Sequence, residues 1–210
     1  MLRQLGVQLA CGVHPWEITP MDRQRVLHVD MENSPEQSAA EYHRLGTTGV
    51  KAKYERGWLA VKYRPQGLDL TARADVRWLE GLLVHHRPDV LMIGPWYKMI
   101  RGTERKSVHS EESASEAARA LDEIRTAHDV ALIIEAHSPH LAPGAKQRDL
   151  RPIGASLLLR WPEFGKGLAV DSDGVGTFTS WRMDRVRGRR WPARLVQGGP
   201  MWPWTVPEVM

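Results

Sequence analysis

The sequence predicts an α/β protein, a three-layer sandwich of helices around a mostly parallel sheet, and three of its features carry that prediction. Short apolar runs alternate with longer segments of helical period between residues 25 and 136, which is the pattern of strand–helix–strand units. The run VALIIEA at 130–136 is apolar without alternation, as a strand covered on both faces requires. Beyond residue 152 the runs shorten and are separated by glycine, proline and aspartate, which predicts C-terminal β-hairpins extending the sheet.

Each element follows from local pattern. Leu2, Leu5 and Leu9, with Val7 beside them, share a helical face, so residues 2–11 are expected to form a helix. RVLHVD at 25–30 reads as a buried strand, followed by a loop through Glu32, Asn33 and Ser34 and a helix that starts with Pro35 at its first position. That helix is expected over 35–45, stopped by Gly46. WLAVKY at 58–63 predicts a strand, and 72–86 a helix with Val76, Leu79, Leu82 and Leu83 inward, ended by Pro88. DVLMI at 89–93 predicts the next strand, and Glu111 to His128 a long helix with Ala117, Ala120, Leu121 and Ile124 inward. Runs at 155–160, 167–171, 176–183 and 193–197 are expected strands, and MWPWTVPEVM at 201–210 an irregular tail.

Composition narrows the classes. A chain of 210 residues, 42% hydrophobic and 26% charged, supports one domain with a sizeable core. The single cysteine, Cys11, excludes a disulfide framework and a cysteine-rich zinc site, and it reads as a small core residue. No apolar run approaches the roughly 18 residues of a membrane span, and MLRQLGVQLACG is too interrupted for a signal peptide, so a cytoplasmic protein with no membrane partner is expected. The net charge of +4 is modest, but Arg182, Arg185, Arg187, Arg189, Arg190 and Arg194 stand together with one acid, Asp184. This is the candidate DNA-phosphate surface; a subunit contact or a solvated hairpin are the plainer readings.

Ligands of an open parallel sheet bind beyond the carboxyl ends of its strands. The residues there are Asp30, Glu32 and Asn33, then Gly94, Pro95 and Tyr97, then Glu135, His137, Ser138 and His140. Such polar groups suit catalysis, while the bland reading makes Asn33 and Ser34 helix caps and the acids surface charges. His137 and His140 are spaced as H-x-x-H, but Pro139 disfavours the helix that would aim both rings at one ion, so no metal site is assigned to them. Trp161, Trp191, Trp202 and Trp204 flank basic residues and could stack on bases of a single strand, or simply pack.

Four segments in order, VLHVDMENS, PDVLMIGPWYKM, VALIIEAHSPH and GASLLLRWPEFGKGL, resemble the strand-end motifs of RecA-like ATPases. The resemblance is to the hexameric replicative-helicase group that includes plasmid RepA and DnaB-type motors, as found in phage and actinobacterial DNA replication. It implies a RecA-like core over 1–200 and function as the ATPase core of a DNA helicase, with ATP and Mg²⁺ as cofactors. The partners it implies are single-stranded DNA and further copies of the chain, in a hexamer. By the same resemblance Glu32 polarises the attacking water, His137 is the γ-phosphate sensor, and Arg160 or Lys166 completes a neighbouring subunit's site. Asp30, Asn33, Gly94, Pro95 and Lys166 then line the cofactor, although family members usually carry an Asp where Gly94 stands.

The phosphate loop G-x-x-x-x-G-K-[ST], whose N–H groups and lysine cradle the phosphates, is not in the sequence; Gly165-Lys166 is followed by Gly167. In the family a segment resembling LLRQLGVQLACG follows that loop directly, which implies a core incomplete at its N-terminus, lacking the loop and the strand before it. That P-loop strand would lie between the strand ending near Glu135 and the strands beyond 155. Impaired ATP binding and hydrolysis are therefore expected, with a non-catalytic DNA-binding or assembly subunit as the alternative. A metal-dependent hydrolase using Asp30, Glu32, His137 and His140 is a third, weaker reading.

Overall fold

A computed structural model describes residues 1–48, 55–101, 110–140, 148–182, 191–198 and 202–207. Its elements in chain order are α1 (Leu2–Cys11), β1 (Val26–Asp30), α2 (Pro35–Thr48), β2 (Leu59–Tyr63), α3 (Arg73–His86), β3 (Val90–Gly94), α4 (Glu111–His128), β4 (Ala131–Ile134), β5 (Gly165–Val170), β6 (Val175–Arg182), β7 (Arg194–Gln197) and β8 (Trp204–Thr205). The first four strands form one parallel sheet in the order β2-β1-β3-β4.

Alternation along β1 and β3 sorts the core into two layers. Leu27, Val29, Leu91 and Ile93 pack with Leu79 and Leu83 of α3 and Ala117, Leu121 and Ile124 of α4. Val26, Val90 and Met92 face the other way, onto Val7 and Ala10 of α1 and Leu45 of α2. Helices therefore cover both faces, and all five residues of β1 and of β3 are buried. Left-handed residues close three of the helices, Gly12 after α1, Arg87 after α3 and Asp129 after α4.

Five details differ from the pattern-based expectation. The inward face of α1 is Gln4, Val7, Gln8, Ala10 and Cys11, while Leu2, Leu5 and Leu9 are only half-buried. α2 runs through Gly46 to Thr48, because the helix surface there is open and nothing forces a stop. The leucine run expected as a strand at 155–160 is a 3₁₀ turn, Ser156–Leu159, whose Ser156 and Leu157 N–H groups donate to the Glu111 carboxylate while Leu158 is buried in the core. β5 to β8 form a separate antiparallel sheet in that order rather than extending the parallel one. The segment expected to be irregular carries β8, which pairs with β7.

β4 is the last strand of its sheet. Ala131 is exposed and Leu132, Ile133 and Ile134 are half-buried, so the apolar run at 130–136 is less covered than its composition predicts. Among the described residues no strand pairs with the outer edge of β4 or with that of β5.

Candidate active site at the carboxyl edge of the parallel sheet

The tips of β1, β3 and β4 bring their following residues to one place. A cavity of about 350 Å³ opens there, and its lining includes Met1, Arg3, His28, Asp30, Glu32, Asn33, Glu135 and Trp204. A larger depression of about 660 Å³ runs along the outside of α4 beside Trp161 and holds none of the strand-tip residues.

Asp30 organises the turn after β1. Its carboxylate accepts from the N–H groups of Glu32 (3.0 Å) and Asn33 (3.1 Å), from the Asn33 amide (3.1 Å) and from the Ser38 hydroxyl (3.0 Å), and pairs with Arg3 at 3.4 Å. Burial alone would raise its pKa, but these hydrogen bonds outweigh burial and hold it down to about 2. Asp30 and Asn33, expected at the cofactor, are thus committed to each other, and what they achieve is the placement of Glu32. Lys98 secures the turn from outside by donating to the Met31 carbonyl at 2.8 Å.

Glu135 approaches from β4. Its N–H donates to the Ile93 carbonyl (3.0 Å) and its own carbonyl accepts from Trp96 (2.8 Å), so its backbone is clasped to the tip of β3. The approach is close enough that a Cβ on Gly94 would stand 2.5 Å from the Glu135 Cβ. Gly94, expected to line the cofactor where family members usually carry an Asp, is the gap into which Glu135 fits. Burial raises the Glu135 pKa, and the neighbouring Glu32 charge adds to the rise.

His137 completes the group. Its Nε2 lies 3.5 Å from a Glu32 carboxylate oxygen, and the Tyr97 ring centroid is 5.2 Å from its own. One ligand atom each from Glu32, Glu135 and His137 falls within 4.8 Å of the others. His140 and Asp30 are outside that triplet, which corrects the Asp30, Glu32, His137, His140 set. Behind it, His28 is buried on β1 with its Nδ1 against the Tyr42 hydroxyl, and burial lowers its pKa to about 4.

A family model described as an AAA domain matches residues 1–143. The chain belongs to the AAA domain family. A solved structure titled "The Structure Of A DnaB-Like Replicative Helicase And Its Interactions With Primase" superposes on 86% of this AAA domain chain with a TM-score of 0.61 at 12% sequence identity. The match covers 51% of that chain, so the present chain spans about half its length. The fold is therefore the RecA-like one of helicase ATPases. No curated protein matches.

In this AAA domain the remaining expected residues lie elsewhere. Arg160 caps the 3₁₀ turn and points to Glu111 at 3.8 Å; Lys166, on β5, donates to the Ser180 hydroxyl at 2.6 Å and lies over Trp191. Neither lines the cavity. Arg182 donates to the Leu159 carbonyl at 3.2 Å. Arg185, Arg187, Arg189 and Arg190 lie outside the described residues. Trp202 is 1% exposed and Trp204 is also buried, so these two serve the core and not a stacking platform. Trp161 donates to Asp122 at 2.9 Å, while Trp191 packs on Phe164 and Trp16. Sequence reasoning missed Arg3, which no strand tip announces, and undervalued Glu135, whose signal was the glycine opposite it.

Proposed function

We propose that this AAA domain carries the water-orienting and phosphate-sensing side of a helicase-type ATPase site, and that the 210-residue chain alone neither binds ATP tightly nor hydrolyses it appreciably. The observation supporting it is the pairing of Glu32 with His137 at 3.5 Å on the sheet's carboxyl edge, beside a cavity that Glu32 lines and whose charge suits cations better than a bare triphosphate. Four carboxylates line that cavity (Asp30, Glu32, Glu41, Glu135), against Arg3 and Arg44, which pair with Asp30 and Glu41, and the Met1 ammonium near Glu135. No lysine lines it. The carboxylates fit the cation side of a nucleotide site and do not fit the phosphate side, which needs the N–H cradle and lysine of a phosphate loop.

In a site completed by such a loop, Glu32 would orient water, His137 would stand at the γ-phosphate, and Arg160 or Lys166 would serve a neighbouring copy in a hexamer. The setting is DNA replication on single-stranded DNA, in the cytoplasm, by a motor of the RepA or phage type. Among the described residues no helix is long and apolar enough to cross a membrane.

Calorimetry of the 210-residue protein with Mg·ATP should show no binding; a Kd at or below about 10 μM would overturn the proposal. The alternative, a non-catalytic DNA-binding or assembly subunit, is favoured by the lack of a phosphate-loop motif in the sequence and by Gly94, which stands where family members usually carry an Asp. Single-stranded DNA binding that persists without ATP binding supports it.

A further inference from the structure

We infer that Glu32, Glu135 and His137 form a binding site for a first-row transition dication, tighter for Zn²⁺ than for Mn²⁺ and weakest for Mg²⁺. Their ligand atoms lie within 4.8 Å of one another, and two carboxylate oxygens with one imidazole nitrogen make a mixed donor set that suits Mn²⁺ or Zn²⁺ better than the all-oxygen shell of Mg²⁺.

Charge accounting singles out the same residues. Of the four carboxylates lining the cavity, Asp30 is matched by Arg3 and Glu41 by Arg44. Among the described residues no lysine or arginine pairs with Glu32 or Glu135, and the polar group that reaches Glu32 is the His137 ring. The charge near Glu135 is the Met1 ammonium, with which it interacts electrostatically; the Glu32 and Glu135 carboxylates still repel each other, and a dication between them removes that cost.

Besides the Glu32–His137 contact, the backbones of the three donors are each held by bonds to other elements. Glu32 is placed by the Asp30 turn, with its N–H on Asp30 at 3.0 Å. Glu135 is clasped to β3 by two backbone hydrogen bonds of 3.0 and 2.8 Å, and the clasp exists because Gly94 has no Cβ to block it. His137 is tied by its carbonyl, which accepts from Ile153 at 2.8 Å. Such preorganisation is what a three-ligand site with open positions for water requires. The site needs no nucleotide, so it stands or falls separately from the proposed ATPase lineage.

The test is titration of the nucleotide-free protein with Mn²⁺, followed by the electron paramagnetic resonance of free Mn²⁺, with Zn²⁺ and then Mg²⁺ as competitors. One Mn²⁺ per chain is expected, displaced readily by Zn²⁺ and poorly by Mg²⁺, and weakened about ten-fold or more by E135Q and by H137A. Thermal unfolding of each variant without metal confirms that it folds, and E32Q provides a second carboxylate variant if one does not. Absence of binding to the wild-type chain would overturn the inference. So would binding that survives both E135Q and H137A, or binding abolished by H85A/H86A, the adjacent histidine pair on α3 with ring centroids 4.6 Å apart.

Discussion

At the scale of single residues, two buried titratable groups on β1 respond to acid in separate ranges. Burial lowers His28 to about 4 from its ordinary 6.5, so between those values the unfolded chain takes up a proton that the folded chain refuses. Stability is therefore full above pH 6.5 and falls as pH drops toward 4, by on the order of 3 kcal/mol. Asp30, held down to about 2 from 3.8, contributes stability above pH 4 that is lost only as pH falls toward 2. Urea denaturation at a series of pH values should show the first decline, and His28→Phe should flatten it while leaving the more acidic one in place. An unchanged slope in His28→Phe would assign the decline to other groups. The strand-tip acids were legible from the rule that sites gather at carboxyl ends, but their division of labour was not. Asp30 and Glu32 are two residues apart with the same charge, and only the hydrogen bonds of Asn33, Ser38 and Arg3 separate an organiser from a carboxylate that faces His137.

At the scale of elements, α1 shows how a polar residue can be the inward one. Gln4 is 3% exposed, donates to the Trp204 carbonyl at 2.7 Å and accepts from the Trp204 N–H at 2.9 Å, standing in for a neighbouring strand on β8. Its partner is 200 residues away in sequence, so periodicity grouped Leu2, Leu5, Val7 and Leu9 and found only Val7 of the fully buried residues. Replacing Gln4 with Ala leaves both backbone groups of Trp204 without that partner and should cost about 1–3 kcal/mol. Amide exchange at Trp204 should accelerate by more than exchange in β1; equal changes at both would mean that the contact only adds to global stability. The helices α3 and α4 were legible almost to the residue, since their apolar faces follow from local spacing. The 3₁₀ turn at Ser156–Leu159 was not, because the Glu111 carboxylate that shapes it comes from another element.

At the scale of the whole molecule, the parallel sheet accords with strand–helix alternation in the sequence, whereas its order β2-β1-β3-β4 is set by packing that alternation does not specify. The separation of β5–β8 into a second sheet depends on pairings between distant segments, which short apolar runs do not specify. That second sheet carries Arg182 and Arg194 on β6 and β7, the two members of the arginine cluster inside the described residues. If the cluster meets DNA phosphates, replacing Arg185, Arg187, Arg189 and Arg190 with Gln should flatten the dependence of log K on log salt for single-stranded DNA. The expected change is about 0.7 for each phosphate contact removed. An unchanged slope assigns the cluster to another surface.

The bond between Gln4 and Trp204 also draws the two extremities of the described polypeptide to the rim of one cavity, which Met1, Pro203 and Trp204 all border. An affinity tag fused ahead of Met1 would therefore emerge beside Glu135 and occlude the entrance. Titrations on tagged material would then measure competition with the tag, and its proteolytic removal becomes a condition for reading any of them.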